Sequence, residues 1–369
     1  MRRRANIGLL GLLAAVACLG AARAGAQATP QGSLIIRAVV NVVELNVAVT
    51  DSHGRYVTGL RPSDFAITED GIPETIATFE EGNAAPFPLA HAPAVAHAGA
   101  GHPPASAPPP PGGAAAAGSA SVFVLMDTSN YMYTGLGFVH AQDAIVGFIR
   151  SLTPADRVAF YAYSRNLSRA APLTSNRMDV IRGVRSTTNG DAAGLYDALL
   201  LTLRDAGAVP GRKVAVVFSN GPDNASMVPP DDISELAQSE GIPVYVVSTR
   251  HAEDNPVFAT AMKQLSAQTG GEAFFSRHWQ NERVAFATIR EDLEHLFFLS
   301  YYPKPNANHG WRSIQVRLVG KRLRHDHVRT RDGYRLRPLP LAGVAPLCTV
   351  GKSNAQGCEI QNGGPPPVG

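Results

Sequence analysis

Ser121 to Tyr131, SVFVLMDTSNY, constrains the fold more than any other stretch of the chain. Val122 to Met126 are continuously apolar, and the run ends on Asp127. A short apolar run bounded by small and polar residues reads as a strand buried on both faces, which calls for helices above and below a parallel sheet. An acid at the carboxyl end of such a strand stands where open α/β sheets bind their ligands. Thr128, Ser129 and Asn130 add side-chain oxygens around it, the hard-donor chemistry suited to an ion such as Mg²⁺.

The residues that follow alternate strand and helix, the pattern of a doubly wound sheet. Phe138, Ala141, Ile145, Phe148 and Ile149 share one helical face, and Leu195, Leu199, Leu203 and Ala206 form another stripe. Arg157 to Tyr163, Lys213 to Phe218, Pro243 to Val247 and Ala273 to Phe275 read as strands. Asp232 and Glu235 have the spacing of a capping box. Met262 and Leu265 lie on a helix that Gly270-Gly271 ends. Phe286, Ile289, Leu293, Leu296 and Phe297 mark a closing helix.

The flanks read differently. Met1-Arg2-Arg3-Arg4, the apolar stretch from Ile7 to Leu19 and the Ala-x-Ala sites up to Ala28 read as a cleaved secretory signal, taken as residues 1–26. A lipoprotein anchored through Cys18 is the alternative. Residues 33–82 alternate as β, first at Leu34, Ile36, Ala38 and Val40, then at Val43, Leu45, Val47 and Val49. Glu69-Asp70-Gly71 is a hairpin signal with Ile76 to Phe79 as its return. Residues 83–120, rich in Ala, Pro and Gly, read as a disordered linker whose His91, His97 and His102 are too widely spaced for a rigid metal site. Residues 300–338 return to β, with an arginine-rich end read as a solvated strand face. The two flanks are expected to make one small split β domain, because neither half has strands enough alone. Residues 339–369 read as a tail in which Cys348 and Cys358, an even pair in an oxidising compartment, point to a disulfide.

Asp127-Thr128-Ser129-Asn130-Tyr131 resembles the first loop of a von Willebrand factor A domain, whose pattern is Asp-x-Ser-x-Ser. The resemblance extends through residues 121–299, about half the chain. The flanking VTDSHGRYVTGLRPSDFAITEDG and FLSYYP…RDGYR are similar, more narrowly, to the VWFA-related domain proteins typical of Acidobacteria. The resemblance implies a Rossmann-like, mostly parallel sheet and a metal site built from three loops. Asp127 and Ser129 match that site, and Tyr131 replaces its second serine. Ala193 falls where a threonine belongs, and Asn220 where an aspartate belongs. Asp191 and Asp223 are the acids near enough in sequence to compensate.

The expected function is therefore protein binding outside the cytoplasm, in the periplasm or after secretion, at a degenerate metal-ion-dependent site and without a resident cofactor. A structural or assembly subunit of the cell envelope with an inert top face is the alternative. A net charge of +3 on 369 residues argues against nucleic acid as the main partner. No membrane-spanning segment is expected after the signal is removed. Enzyme readings find no G-x-S-x-G elbow and no P-loop, and Gly135-Leu136-Gly137 lacks the third glycine of a dinucleotide fingerprint. His251, Glu253 and Asp254 read as an exposed polar loop rather than acid–base machinery. Neither the partner nor the biological process is legible in the residues.

Overall fold

The computed structural model describes residues 42–82, 84, 87–89, 119–132, 137–276 and 283–336. The signal, the strand read over Leu34 to Val40, the three linker histidines and all three cysteines lie outside the described residues.

Alternating apolar residues form the first described strand, β1 (Val43–Thr50), whose Val43, Leu45, Val47 and Val49 are buried together. β2 (Phe65–Glu69) turns into β3 (Ile72–Glu74) through Asp70 and Gly71. Both turn residues have positive φ, 49° and 80°. A two-residue hairpin turn that follows strand twist needs that conformation, and Asp-Gly supplies it at low cost. The hairpin's return is thus Ile72–Glu74. Ile76 to Phe79, the return expected from the pattern, instead begins β4 (Ile76–Glu81), which crosses to another sheet beside β5 (Phe87–Pro88). The short β5 lies within the stretch read as linker, and residues 90–118 lie outside the described residues.

The Asp70 carboxylate holds this turn to the far end of the chain. It accepts from Ser313 N (2.8 Å) and Ser313 Oγ (3.0 Å), and from Asn306 Nδ2 (2.8 Å) and Asn308 Nδ2 (2.9 Å). Partial burial pushes its pKa up, but the donors of Ser313, Asn308 and Asn306 outweigh this and bring it to about 2. The folded value lies below the unfolded one, about 3.9. The turn's contribution to stability should therefore be complete above about pH 4 and fall away as pH drops through 2. A ¹³C titration of the Asp70 carboxyl checks this: a midpoint at 3.9 or higher would show that the four donors do not act on it.

The α/β domain follows as β6 (Ser121–Asp127), α1 (Gly137–Ser151), β7 (Arg157–Tyr163), β8 (Leu167–Thr174), α2 (Arg177–Arg185), α3 (Leu195–Gly207) and β9 (Lys213–Phe218). It continues with α4 (Pro230–Ser239), β10 (Val244–Thr249), α5 (Arg250–Glu253), α6 (Pro256–Thr269), β11 (Ala273–Ser276) and α7 (Arg283–His295). The sheet order is β11-β10-β9-β6-β7-β8, parallel except for β8. β6 lies inside it, bonded to β7 and β9. Side chains alternate along a strand, so β6 feeds both faces. Val122, Val124 and Met126 join the core under α1, α2 and α7, and Phe123 and Leu125 join the core under α3, α4 and α6. Gly270, at φ 83°, ends α6 in the left-handed cap its sequence implies.

Two local expectations are corrected. Glu235 does not cap α4, which starts at Pro230 with no side-chain cap; Glu235 pairs instead with Arg335. β8 and α2 are further elements of the domain that no long apolar periodicity in the sequence announces. Phe297 does not close a helix: α7 ends at His295 and Phe297 starts β12 (Phe297–Tyr301). The last elements are β13 (Trp311–Leu318), β14 (His327–Arg329) and β15 (Gly333–Arg335).

β12 pairs antiparallel with both β1 and β4 in a sheet ordered β14-β1-β12-β4-β5. The second sheet is β15-β13-β2-β3. Each sheet interleaves strands from before and after the α/β domain, and one apolar core, with Leu45, Phe65, Ile67, Phe297, Leu299 and Ile314, lies between them. The arginine-rich end is not simply a solvated face. Arg312 is buried on Glu69 Oε1 (2.7 Å), whose other oxygen accepts from Tyr301 and Tyr334 hydroxyls. Arg331 is buried too, on the carbonyls of Gln238 and Glu44. Among the described residues no helix is long and apolar enough to cross a membrane.

Candidate functional site

β6 delivers Asp127 to the carboxyl edge of the sheet, wholly buried. Its Oδ1 accepts from Ser129 N (2.7 Å) and its Oδ2 from Ser219 Oγ (2.9 Å), to which Tyr163 OH donates in turn (3.1 Å). Burial pushes the Asp127 carboxyl above the usual range, against the pull of donors on Ser129, Ser219 and Asn220. Ser129 Oγ, equally buried, makes no hydrogen bond of regular geometry. The loop itself is stapled down. Thr128 donates through N (2.7 Å) and Oγ1 (2.8 Å) to Tyr163 O, and Thr128 O accepts from Gly190 N (2.7 Å).

The positions where sequence departs from the expected metal loop have other partners. Asn220 Oδ1 accepts from Thr249 N (3.3 Å) and from Thr249 Oγ1, and its Nδ2 donates to Tyr131 O (3.4 Å). Its carbonyl oxygen is thus turned toward β10. Tyr131 lies against Gly221 so closely that a Cβ there would stand 2.2 Å from the ring's Cγ. The Tyr131 hydroxyl accepts from Asn224 Nδ2 (3.3 Å). Ala193 is wholly buried in the apolar core under α3.

Residues 121–289 match the family model for the von Willebrand factor type A domain. The chain carries an A domain. Solved structures it is similar to include protein BatB from Bacteroides thetaiotaomicron, 15% identical, covering 47% of this chain and 97% of that one at a TM-score of 0.40. The vWF domain of the type V pili tip protein Mfa5 from Porphyromonas gingivalis is 11% identical, covers 47% and 94%, and gives 0.41. A von Willebrand factor type A protein from Catenulispora acidiphila is 11% identical, covers 58% and 66%, and gives 0.39. No curated protein matches the chain.

In this A domain, Asp127, Ser129, Tyr131, Asn220 and Ala193 come together around the three loops at the sheet's carboxyl edge. The two acids considered as compensation are engaged elsewhere. Asp191, with its side chain 76% exposed, faces Arg165 at 3.6 Å; the N–H of Ala192 holds its pKa below the usual range. Asp223 accepts from Tyr196 N (3.2 Å), Ser226 N (3.0 Å) and Ser226 Oγ (2.5 Å), capping the start of α3 and closing its own loop. Among the described residues no group of three His, Cys, Asp or Glu is placed to hold a metal ion.

Asn224 and Asp197 escaped the sequence reading. Asn224 Oδ1 accepts from Ala193 N (2.8 Å), while Ala193 O accepts from Asn224 N (3.0 Å) and Ala225 N (3.1 Å). Asp197, in the first turn of α3, accepts from Met227 N (3.1 Å) and Val228 N (3.0 Å). This bracing holds the loop from Ser219 to Pro229 and leaves the Met227 side chain 90% exposed. Val257, in the first turn of α6 on the same edge of the sheet, is 77% exposed. A run of Ser, Asn and Asp beside an exposed apolar residue was the available signal for this loop.

Proposed function

We propose that the chain is a protein-binding module working in the periplasm or after secretion, and that its A domain engages a partner through the top-face loops without a metal ion. The residues present do not fit Mg²⁺, which needs several small oxygen donors in near-octahedral array. Ala193 brings no oxygen, Asn220 Oδ1 is already bonded to Thr249, and Tyr131 covers Gly221 with a ring. The observation that carries a binding role is the braced loop. Its backbone is fixed before any partner arrives, so little ordering entropy remains to be lost when Met227 is covered. An exposed thioether on a rigid support suits an apolar pocket on a partner.

Full burial of Asp127 favours a second reading, a structural or assembly subunit whose top face is inert. A photo-crosslinking residue at position 227, compared with one at Leu201 on the outside of α3, separates the two in intact source cells. The binding reading expects a discrete adduct from 227, none from 201, and no change with a chelator. Equal labelling from both positions, or an adduct that a chelator abolishes, would reject it.

A further inference from the structure

A cleft of about 630 Å³ lies between β13, the chain from Val328 to Asp332 and the junction of α6 with β11. It sits at the amino edge of the A-domain sheet, opposite the Asp127 loops. β13 is bonded unevenly along its length. Ser313 O accepts from Asp70 N on the β2 side, and Ile314 N donates to Asp332 O on the β15 side. Backbone groups alternate sides along a strand, so Val316 and Leu318 point their N–H and C=O groups the same way as Ile314. β15 stops pairing at Ser313 opposite Gly333. No described residue bonds the backbone of Val316 or Leu318 on that side. β11, across the cleft, is itself the edge strand of its sheet.

The charges around the cleft are not evenly matched. Arg329 is held by Asp292, Arg331 by backbone carbonyls, Lys263 by Glu253 and Arg317 by Gln315. Glu272 and Asp332 are exposed residues whose carboxyls make no hydrogen bond or ion pair with a described residue; partial burial raises the pKa of both, and the Arg329 charge pulls that of Glu272 partly back. What remains open is a strand edge beside two unpaired acids.

We propose that this cleft binds an extended segment of a partner protein, which adds as a strand to the open edge of β13 and places a lysine or arginine side chain against Glu272 and Asp332. Main-chain bonds to Val316 and Leu318 give the affinity, and the acids select the sequence. The site is independent of the top-face loops and stands whether or not those bind a partner.

The test uses the full chain and two capped synthetic peptides, Thr-Val-Thr-Ile-Arg-Ile-Thr-Val-Thr and its counterpart with Glu in place of Arg. Saturable binding of the Arg peptide is expected, with amide exchange at Val316 and Leu318 slowed at least about tenfold. The Glu peptide should bind at least about tenfold more weakly. Glu272→Gln with Asp332→Asn should level the two. Val316→Pro removes a donor that faces the cleft and none that faces β2, so it should abolish the slowing at Leu318 while Val122 to Met126 stay protected. Absence of saturable binding, equal affinity of the two peptides, or protection confined to another edge such as β8 would overturn the proposal.

Discussion

Replacing Asp292 with alanine should cost the folded chain about 3–5 kcal/mol, a loss on the order of 10 °C in Tm. The carboxylate lies wholly buried in the last turn of α7. It accepts from Arg329 Nη2 on both oxygens (2.7 and 2.6 Å), from Tyr56 OH (2.7 Å) and from Tyr245 OH (2.8 Å). Burial works against the Arg329 charge, and Tyr245 with Asp292 more than offsets it, so the guanidinium's pKa is raised. Without Asp292 the Arg329 charge keeps only Gly270 O (2.6 Å) as an acceptor and loses its counter-ion, and the two hydroxyls lose theirs; the penalty for unpaired buried groups exceeds what a satisfied pair contributes. Asp143→Ala is the matched control. It breaks an ion pair with Arg185 in which both side chains are largely exposed, and should change stability by less than about 1 kcal/mol. Denaturant melts of the two variants decide the matter; equal small losses would mean that water screens the Asp292 cluster as it does the surface pair.

The cluster also says how the A domain is held. Tyr56 and Arg329 come from the β module, whereas Tyr245 and Asp292 come from the A domain. Two more arginines make similar ties. Arg212 donates to Leu293 O (2.6 Å) and to Gly82 O, and Arg331 donates to Glu44 O (2.8 Å) and to Gln238 O. The family match ends at residue 289, three residues before Asp292. A fragment cut there would lose the acceptor of Tyr245 and the helix end that supports it. The A domain of this chain is therefore best handled within the full chain.

How much of this was legible depends on how local the cause was. β6 was readable because burial on both faces leaves no polar residue in Val122 to Met126. α1, α3 and α6 were readable because each buries one stripe against the sheet. β8 was not, since an edge strand is half exposed, and LSRAAPLT carries Arg169 and Pro172 instead of an alternation. Phe297 follows Leu293 and Leu296 at helical spacing, and only its pairing with Glu81 and Val47 shows that it belongs to a strand. Arg329 and Arg331 looked solvated for the same reason. Their partners, Asp292 and Glu44, lie 37 and 287 residues away, beyond any local pattern. At the candidate site, the missing oxygen of Ala193 and the missing charge of Asn220 could be read directly. The turn of Asn220 toward Thr249 and the packing of Tyr131 on Gly221 are tertiary contacts that no spacing announces.

Those contacts lead to the sharpest chemical expectation. Calorimetry of the unmodified full chain with Mg²⁺ or Mn²⁺ should give no saturable binding at millimolar concentration. Beyond the lost donors, Asn220 lacks a formal charge whose attraction for a cation would be about 4 kcal/mol per unit charge at 4 Å and an effective dielectric of about 20. The triple variant Tyr131→Ser, Ala193→Thr, Asn220→Asp reverses each obstacle. It uncovers Gly221, returns two small hydroxyls and restores the acid, so it should gain saturable binding that Asp127→Ala removes. Asn220→Asp alone should not suffice. Its carboxylate would still accept from Thr249, would face Tyr131 O where Asn220 Nδ2 now donates, and would remain under the tyrosine ring. Ala193→Thr alone puts a hydroxyl into an apolar core and should cost about 1–3 kcal/mol of stability. Saturable binding by the unmodified chain, lost on Asp127→Ala and weakened by Asp191→Asn or Asp223→Asn, would show that one of those acids swings in to rebuild the site, and a metal-independent top face would have to be abandoned.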